Sequence, residues 1–385
     1  MNTIQKITAA IMMMTTIVSG QIKTNLDISS YYDDNLYHSP EAVKDWLTDM
    51  DIRLSYIPKE SPFTFYYDGN LFMYTENSPR NFMLNSVGLN FVKPFGPDEI
   101  HTAYMGGDWT LRSNGEDYII YNYYQLTAYA NLNFDLDFLF LKTGYNLRYR
   151  RYENIPELTN TLHTGFVQVN KSFPTRTTFI LEGGLGYKSF AGQDAYSSTG
   201  RGYGRGYSQM YSVPDTSSAD PISLSQAVLL ARVSQSLHDK IGIFVQYRRQ
   251  FSLTDQTDYL NSDQYFQDEE LFDDPYSFES KGYSTQLTWM MPWSVKLQLG
   301  GGWTSKDYIS EQAYLSAEDS VGLGGSRKDT YRNQFVTLSK TIAVNKNWLT
   351  SLQLNLNYIY IRNTSNSYWY DYKNNMIGGG LQWNF

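Results

Sequence analysis

Arg148 and Arg150 stand two residues apart, as do Asp49 and Asp51, and the residue between each pair is apolar or aromatic. A two-residue period belongs to an extended chain, whose side chains alternate between two faces. The same parity gathers Lys23, Arg53, Arg112, Lys142, Arg148, Arg150, Lys188, Arg232, Arg248, Lys296 and Lys306 on the polar face of their segments. Asp27, Asp49, Asp51, Asp68, Asp108 and Glu182 share that face. Cations outnumber acids there, although the whole chain carries a formal net charge of -8 and has a pI near 5.1. Basic side chains ringed around an enclosed aqueous space attract anions. The other reading is that these charges pair across strands and simply hydrate a wall, and spacing alone does not choose between the two.

Other chemistries have weaker footing. The four histidines are His38, His101, His163 and His238. A hydrolase needs a base beside a nucleophile and an orienting carboxylate. His163 with loop carboxylates is the only candidate pair, and no Ser/His spacing accompanies it. The chain has no cysteine, so it has neither a disulfide framework nor a thiolate metal site, and neither zinc nor haem finds a ligand pattern. No cofactor is expected. Asp255, Asp258, Asp263, Asp268, Glu269, Glu270, Asp273, Asp274 and Glu279 crowd one stretch that has no Lys or Arg before Lys281. Oxygen-rich clusters bind calcium, but no calcium-loop spacing is present, and a solvated acidic loop is the expectation. The run from Gly200 to Gly206 (G-R-G-Y-G-R-G) lacks the strand-to-helix setting of a phosphate loop. A flexible or inward-folded loop fits it better. The net negative charge argues against nucleic acid as a partner.

What must position the charged face is a long series of strands. Leu126, Ala128, Ala130, Leu132 and Phe134 alternate with Gln125, Thr127, Tyr129, Asn131 and Asn133. After a short turn, Leu139, Leu141, Tyr145, Leu147 and Tyr149 alternate with Lys142, Gly144, Asn146, Arg148 and Arg150. A helix, with its period of 3.6, cannot keep either set on one face. Such segments recur along the whole chain and number about 16, within the range 14 to 18. His163 to Lys171 and Tyr331 to Lys340 are strands whose outer face the pattern does not fix. Short turns, such as Pro58 to Pro62 and Pro292 to Ser294, alternate with long connections at Gly192 to Pro221, Thr254 to Ser280 and Lys306 to Lys328.

The two ends set the environment. Met1 to Gly20 has Lys6, an apolar stretch from Ile7 to Val18, and small residues before Gln21, as an export signal peptide does. No cysteine follows it to carry a lipid anchor. The mature domain is expected over 21–385, with no room ahead of the first strand for a plug. The last stretch alternates Ile377, Gly379, Leu381, Trp383 and Phe385 against small and polar residues, and stops on an aromatic. This ending resembles the terminal strand of Gram-negative outer-membrane β-barrels, the signal thought to be read by their assembly machinery.

The resemblance implies an all-β fold: a closed antiparallel transmembrane β-barrel with short periplasmic turns and long extracellular loops. It places the protein in the outer membrane, in contact with lipid and lipopolysaccharide, the latter bridged through divalent ions if the acidic loop takes part. Aromatics at strand ends, among them Tyr56, Phe134, Trp289 and Trp348, would form the interfacial girdles. The function expected of a porin-like barrel is passive diffusion of small hydrophilic solutes, with a mild anion preference and no enzymatic activity. Arg53, Arg112, Lys142, Arg148, Arg150, Glu182, Lys188, Arg232, Arg248 and Lys296 are its candidate pore-lining residues. The alternatives are a barrel whose lumen is filled by a partner in a secretion, assembly or conduit complex and, more remotely, an outer-membrane hydrolase. The transported solute and the oligomeric state are not legible in the sequence.

Overall fold

The computed structural model describes residues 20–191, 223–254, 274–319, 321–346 and 348–385. Within them the chain forms β1 (Gly20–Asp33), β2 (Asp45–Pro58), β3 (Phe63–Tyr74), β4 (Phe82–Phe95), β5 (His101–Asn114), β6 (Tyr123–Leu136), β7 (Leu139–Tyr152) and β8 (Asn160–Ser172). It continues through β9 (Thr177–Phe190), β10 (Ser223–His238), β11 (Ile241–Ser252), β12 (Phe278–Met291), β13 (Val295–Gln312), β14 (Ser326–Lys346), β15 (Leu349–Ser365) and β16 (Tyr372–Asn384). Every strand pairs antiparallel with its neighbours in sequence, and β1 pairs with β16, so the 16 strands close into one barrel. Closure removes the free edges and pairs the backbone polar groups within the sheet, which a hydrocarbon environment demands.

The register fixes which face is which. Leu185 is 64% exposed, Leu356 61%, Ile377 57% and Leu126 50%, and all four belong to the parity that sequence alternation marks as apolar. Aliphatic side chains this exposed on strands around the ring form a belt that belongs in lipid. The two ambiguous segments are resolved by pairing. In β8, His163, Val167 and Val169 face outward and Thr164, Phe166 and Gln168 inward, because Gln168 is paired with inward-facing Lys142. In β14, Arg332, Gln334, Val336 and Leu338 face outward, in register with Trp303, Gly301, Leu299 and Leu297 of β13. The ambiguity had a cause: an arginine stands on the outer face of that strand.

One connection is shorter than the pattern suggested. Lys306 to Lys328 is not a continuous loop, because β13 runs on to Gln312 and β14 begins at Ser326. These strand ends project past the apolar belt, where both faces meet polar surroundings and alternation disappears. At the seam, the Cβ of any other residue at Gly378 would stand 2.3 Å from the Ser30 carbonyl oxygen and 2.4 Å from the Tyr31 ring. Only glycine lets β16 close against β1 there. Of the signal peptide read over 1–20, all but Gly20 lies outside the described residues, as do the run 200–206 and the acidic residues 255–273.

Candidate functional site: the inner wall of the barrel

All ten candidate residues lie on the inward parity, but they fall into different settings. Around mid-height, β1 to β5 present an acidic sector. Asp27 and Asp51 are register partners, and Asp49 adds a third carboxylate. Ser29 donates to Asp27 (2.7 Å) and Asn70 to Asp51 (2.6 Å). Arg53 grips Asp68 through Nε and Nη2 (2.6 and 3.1 Å), and Thr110 donates to Asp108 (3.0 Å).

Half-way round the ring, β7 to β13 present a basic sector. Arg232 donates Nε and Nη2 to Gln246 Oε1 (2.8 and 2.5 Å). Arg248 is exposed, Lys142 and Lys296 are half-buried, and Gln168 donates to Glu182, the one carboxylate among the candidate residues (2.7 Å). Two of these cations rest on inward-facing rings: Arg232 lies 4.5 Å from the centroid of Phe244 and Lys142 5.4 Å from that of Phe166. Cation–π seats hold a charge in place without neutralising it. Pattern reading missed the rings. They share the inward parity with the cations on neighbouring strands, so register, once known, would reveal them.

The extracellular mouth is different in kind. Arg112, Arg150 and Lys188 face inward but are buried to 5%, 9% and 2% exposure, so they present little charge to the lumen. Arg112 stacks on Phe82 (4.2 Å) and Arg150 on Tyr123 (4.4 Å), with Arg150 also donating to Gln125 and the Tyr152 hydroxyl. Arg148 donates to Asn160 (3.3 Å). The covers are connections that fold inward. Tyr121, Ile155 and Leu158, from the loops after β5 and β7, pack on Tyr123 and Tyr152 as a small apolar core. Asp274, at the close of the acidic stretch, pairs with Lys188 at 2.5 Å. Gln226 and Gln250 both donate to the carbonyl of Pro275 (2.8 and 2.5 Å). Among the described residues, the segment before β12 therefore turns inward as well. Two acids of the acidic stretch are committed to protein partners, Asp274 to Lys188 and Glu279, already in β12, to the Ser252 amide (3.1 Å). Across the mouth, Arg327 sits between Tyr308 and Tyr370 and pairs with Glu311 (2.7 Å) and Asp329 (2.5 Å).

The histidines pack among aromatic rings or lie at a turn. His163 faces outward between Tyr145 and Tyr187, with Nδ1 2.6 Å from the Tyr145 hydroxyl. His101 lies against Phe95 and Phe134, and His38 stacks on Tyr372. His238 accepts the Lys240 amide at a short turn (3.3 Å).

No protein-family model matches this chain, and no curated protein matches its sequence. Among solved structures, OpdK of Pseudomonas aeruginosa, crystallised with vanillate, superposes with a TM-score of 0.50 at 10% identity, over 95% of this chain and 98% of that one. This chain is an outer-membrane β-barrel. Its strand count, its closure and its exposed apolar belt carry that statement, and its architecture is porin-like. Two further structures cover it at similar length: a bacterial polysaccharide outer membrane secretin (TM-score 0.49, 8% identity, 94% of this chain and 98% of that one) and OprD of P. aeruginosa (0.48, 8%, 95% of each). Both fall short of 0.5 and add no weight to the fold assignment.

Proposed function

We propose that this barrel is a passive channel for small hydrophilic solutes, its selectivity set by two opposed charge sectors at mid-height. A ring of 16 strands is too wide for its own side chains to fill. The observation that carries the reading is the segregation of charge: Asp27, Asp49, Asp51 and Asp108 on the wall of β1 to β5, against Arg232, Arg248 and Lys142 on the wall of β7 to β11. A field across the passage orients solutes bearing separated charges. Because Arg248 is exposed and Arg232 rests on Phe244 and Gln246 rather than on a carboxylate, the basic side gives the passage its mild anion preference.

Conductance of the purified protein in a planar lipid bilayer tests this. Steady open channels are expected. In a salt gradient, R232Q/R248Q should move the reversal potential toward cation selectivity, and D49N/D51N should move it the other way. A wild-type protein that stays silent, or flickers rarely, would instead point to a barrel that needs a partner in its lumen.

A further inference from the structure

The outer face of the barrel carries a feature that passage of solutes does not use. One register row crosses six strands on the lipid side: Tyr247 (β11), Tyr283 (β12), Trp303 (β13), Arg332 (β14), Arg362 (β15) and Lys373 (β16), each the Cα partner of the next. The first three are rings in mutual contact, with centroids 4.9 Å and 6.1 Å apart. The last three are cations set directly opposite one another. Like charges opposed across a strand pair are destabilising, and cations on the lipid face of a barrel are costly toward the midplane. Arg362 has a carboxylate partner in Asp371 (2.5 Å). Arg332 and Lys373 are exposed and have no ion pair among the described residues. Beside Arg362 and Lys373 the surface opens into a cleft of about 250 Å³ at the β1–β16 seam. Its carboxylates are already occupied, Asp371 by Arg362 and Asp34 by the Asn375 amide and side chain (2.6 and 2.7 Å).

The position of the row specifies what lies against it. Past one intervening row of Gln334, Tyr360 and Asn375, the outer face turns apolar at Val336, Tyr358 and Ile377, so the row sits at the upper edge of the belt. That edge is at the long-loop end, which in an outer-membrane barrel is the extracellular side. We infer that this row is a binding site for the phosphorylated sugar headgroup of an outer-leaflet glycolipid, its phosphates on Arg332, Arg362 and Lys373 and its sugar against the Trp303 and Tyr283 rings. An anion between the three cations turns their repulsion into attraction, and guanidinium groups suit phosphate bidentately. The inference rests on the membrane placement and not on the channel reading.

The test is a titration of the delipidated full-length protein in detergent, followed by native mass spectrometry, with three probes: bisphosphorylated lipid A, lipid A stripped of its phosphates, and inorganic phosphate. Lipid A should bind about a hundredfold more tightly than its dephosphorylated form, at about fivefold per cation engaged. R332Q/R362Q/K373Q should erase that difference while leaving bilayer conductance unchanged, and K373Q alone should cost about fivefold. Should the triple variant fail to fold, the comparison of the two lipids on the wild type still decides. Equal binding of the two lipids, or a folded triple variant that keeps the preference, would overturn the proposal. So would inorganic phosphate displacing lipid A at equal concentration, because the site would then recognise free phosphate rather than a lipid.

Discussion

Lys188 and Asp274 are 2% and 0% exposed at the side chain, and each is the other's counter-charge. Their pairing ties the segment before β12 to the inner wall, with the Pro275 carbonyl held by two glutamines. Removing one partner of a buried pair strands the other charge, at a cost of about 3–5 kcal/mol. K188M should therefore release the segment from Asp274 to Ser277, seen as faster amide exchange there with little change in β9 itself. K188M/D274L, which removes both charges, should recover most of the protection. Arg327 belongs to the same class of residue. Its plane lies between Tyr308 and Tyr370 while its nitrogens reach Glu311 and Asp329, so an ammonium cannot replace it.

At the scale of elements, the extended β13–β14 hairpin ends in a loop organised by one carboxylate. Asp319 accepts the backbone amides of Leu315, Val321, Gly322 and Leu323 (2.9 to 3.1 Å). The Leu315 amide, followed by the other three, favours the ionised form and holds this carboxyl below its ordinary range. A depressed folded value means that the stabilising contribution is present at neutral pH and is lost as pH falls through that lowered value. Amide exchange in residues 315–323 should thus be insensitive to pH-dependent opening from neutral to mildly acidic solution and should rise only below the ordinary carboxylate range. D319N should raise it at neutral pH. The strands on either side obey a different constraint, since adjacent residues meet opposite solvents. In β15, Leu356 is 61% exposed on the lipid face, and Asn355 is its inward neighbour. L356R should destabilise the barrel by about 2–4 kcal/mol, whereas N355R should be tolerated. Urea titration of folding into vesicles measures both.

The whole molecule is a ring whose inside and outside were sorted by parity, and whose charges were then sorted again by angle. Acids gather on β1 to β5, most inward cations on β7 to β13, and the outward cation triad at the extracellular ends of β14 to β16. Only the first sorting is a property of the strand. The other two depend on which strands face each other across the lumen and on where the lipid boundary falls. The bilayer experiment on R232Q/R248Q and the lipid titration on the outward triad address these two separately, because each set of substitutions leaves the other face untouched.

Alternation alone determined the strands, their number to within two, and the two faces of all but β8 and β14. The period of two in Leu126 to Phe134 and in Leu352 to Tyr358 survives in any extended chain, whatever packs around it. The signal-peptide pattern, the aromatic last strand and the aromatics at strand ends then pointed to a membrane as the environment. Pattern reading also placed the candidate cations on the inward parity, because parity is local. It did not separate Arg112, Arg150 and Lys188, buried at the mouth, from Arg232 and Arg248 lower on the inner wall, because burial depends on loops distant in sequence folding over them. Nor did it place Arg332, a charge on the lipid face, whose orientation came from the hydrogen-bonded register with Trp303. Register across a closed sheet joins residues far apart in the chain, and that joining is what only the tertiary structure decides.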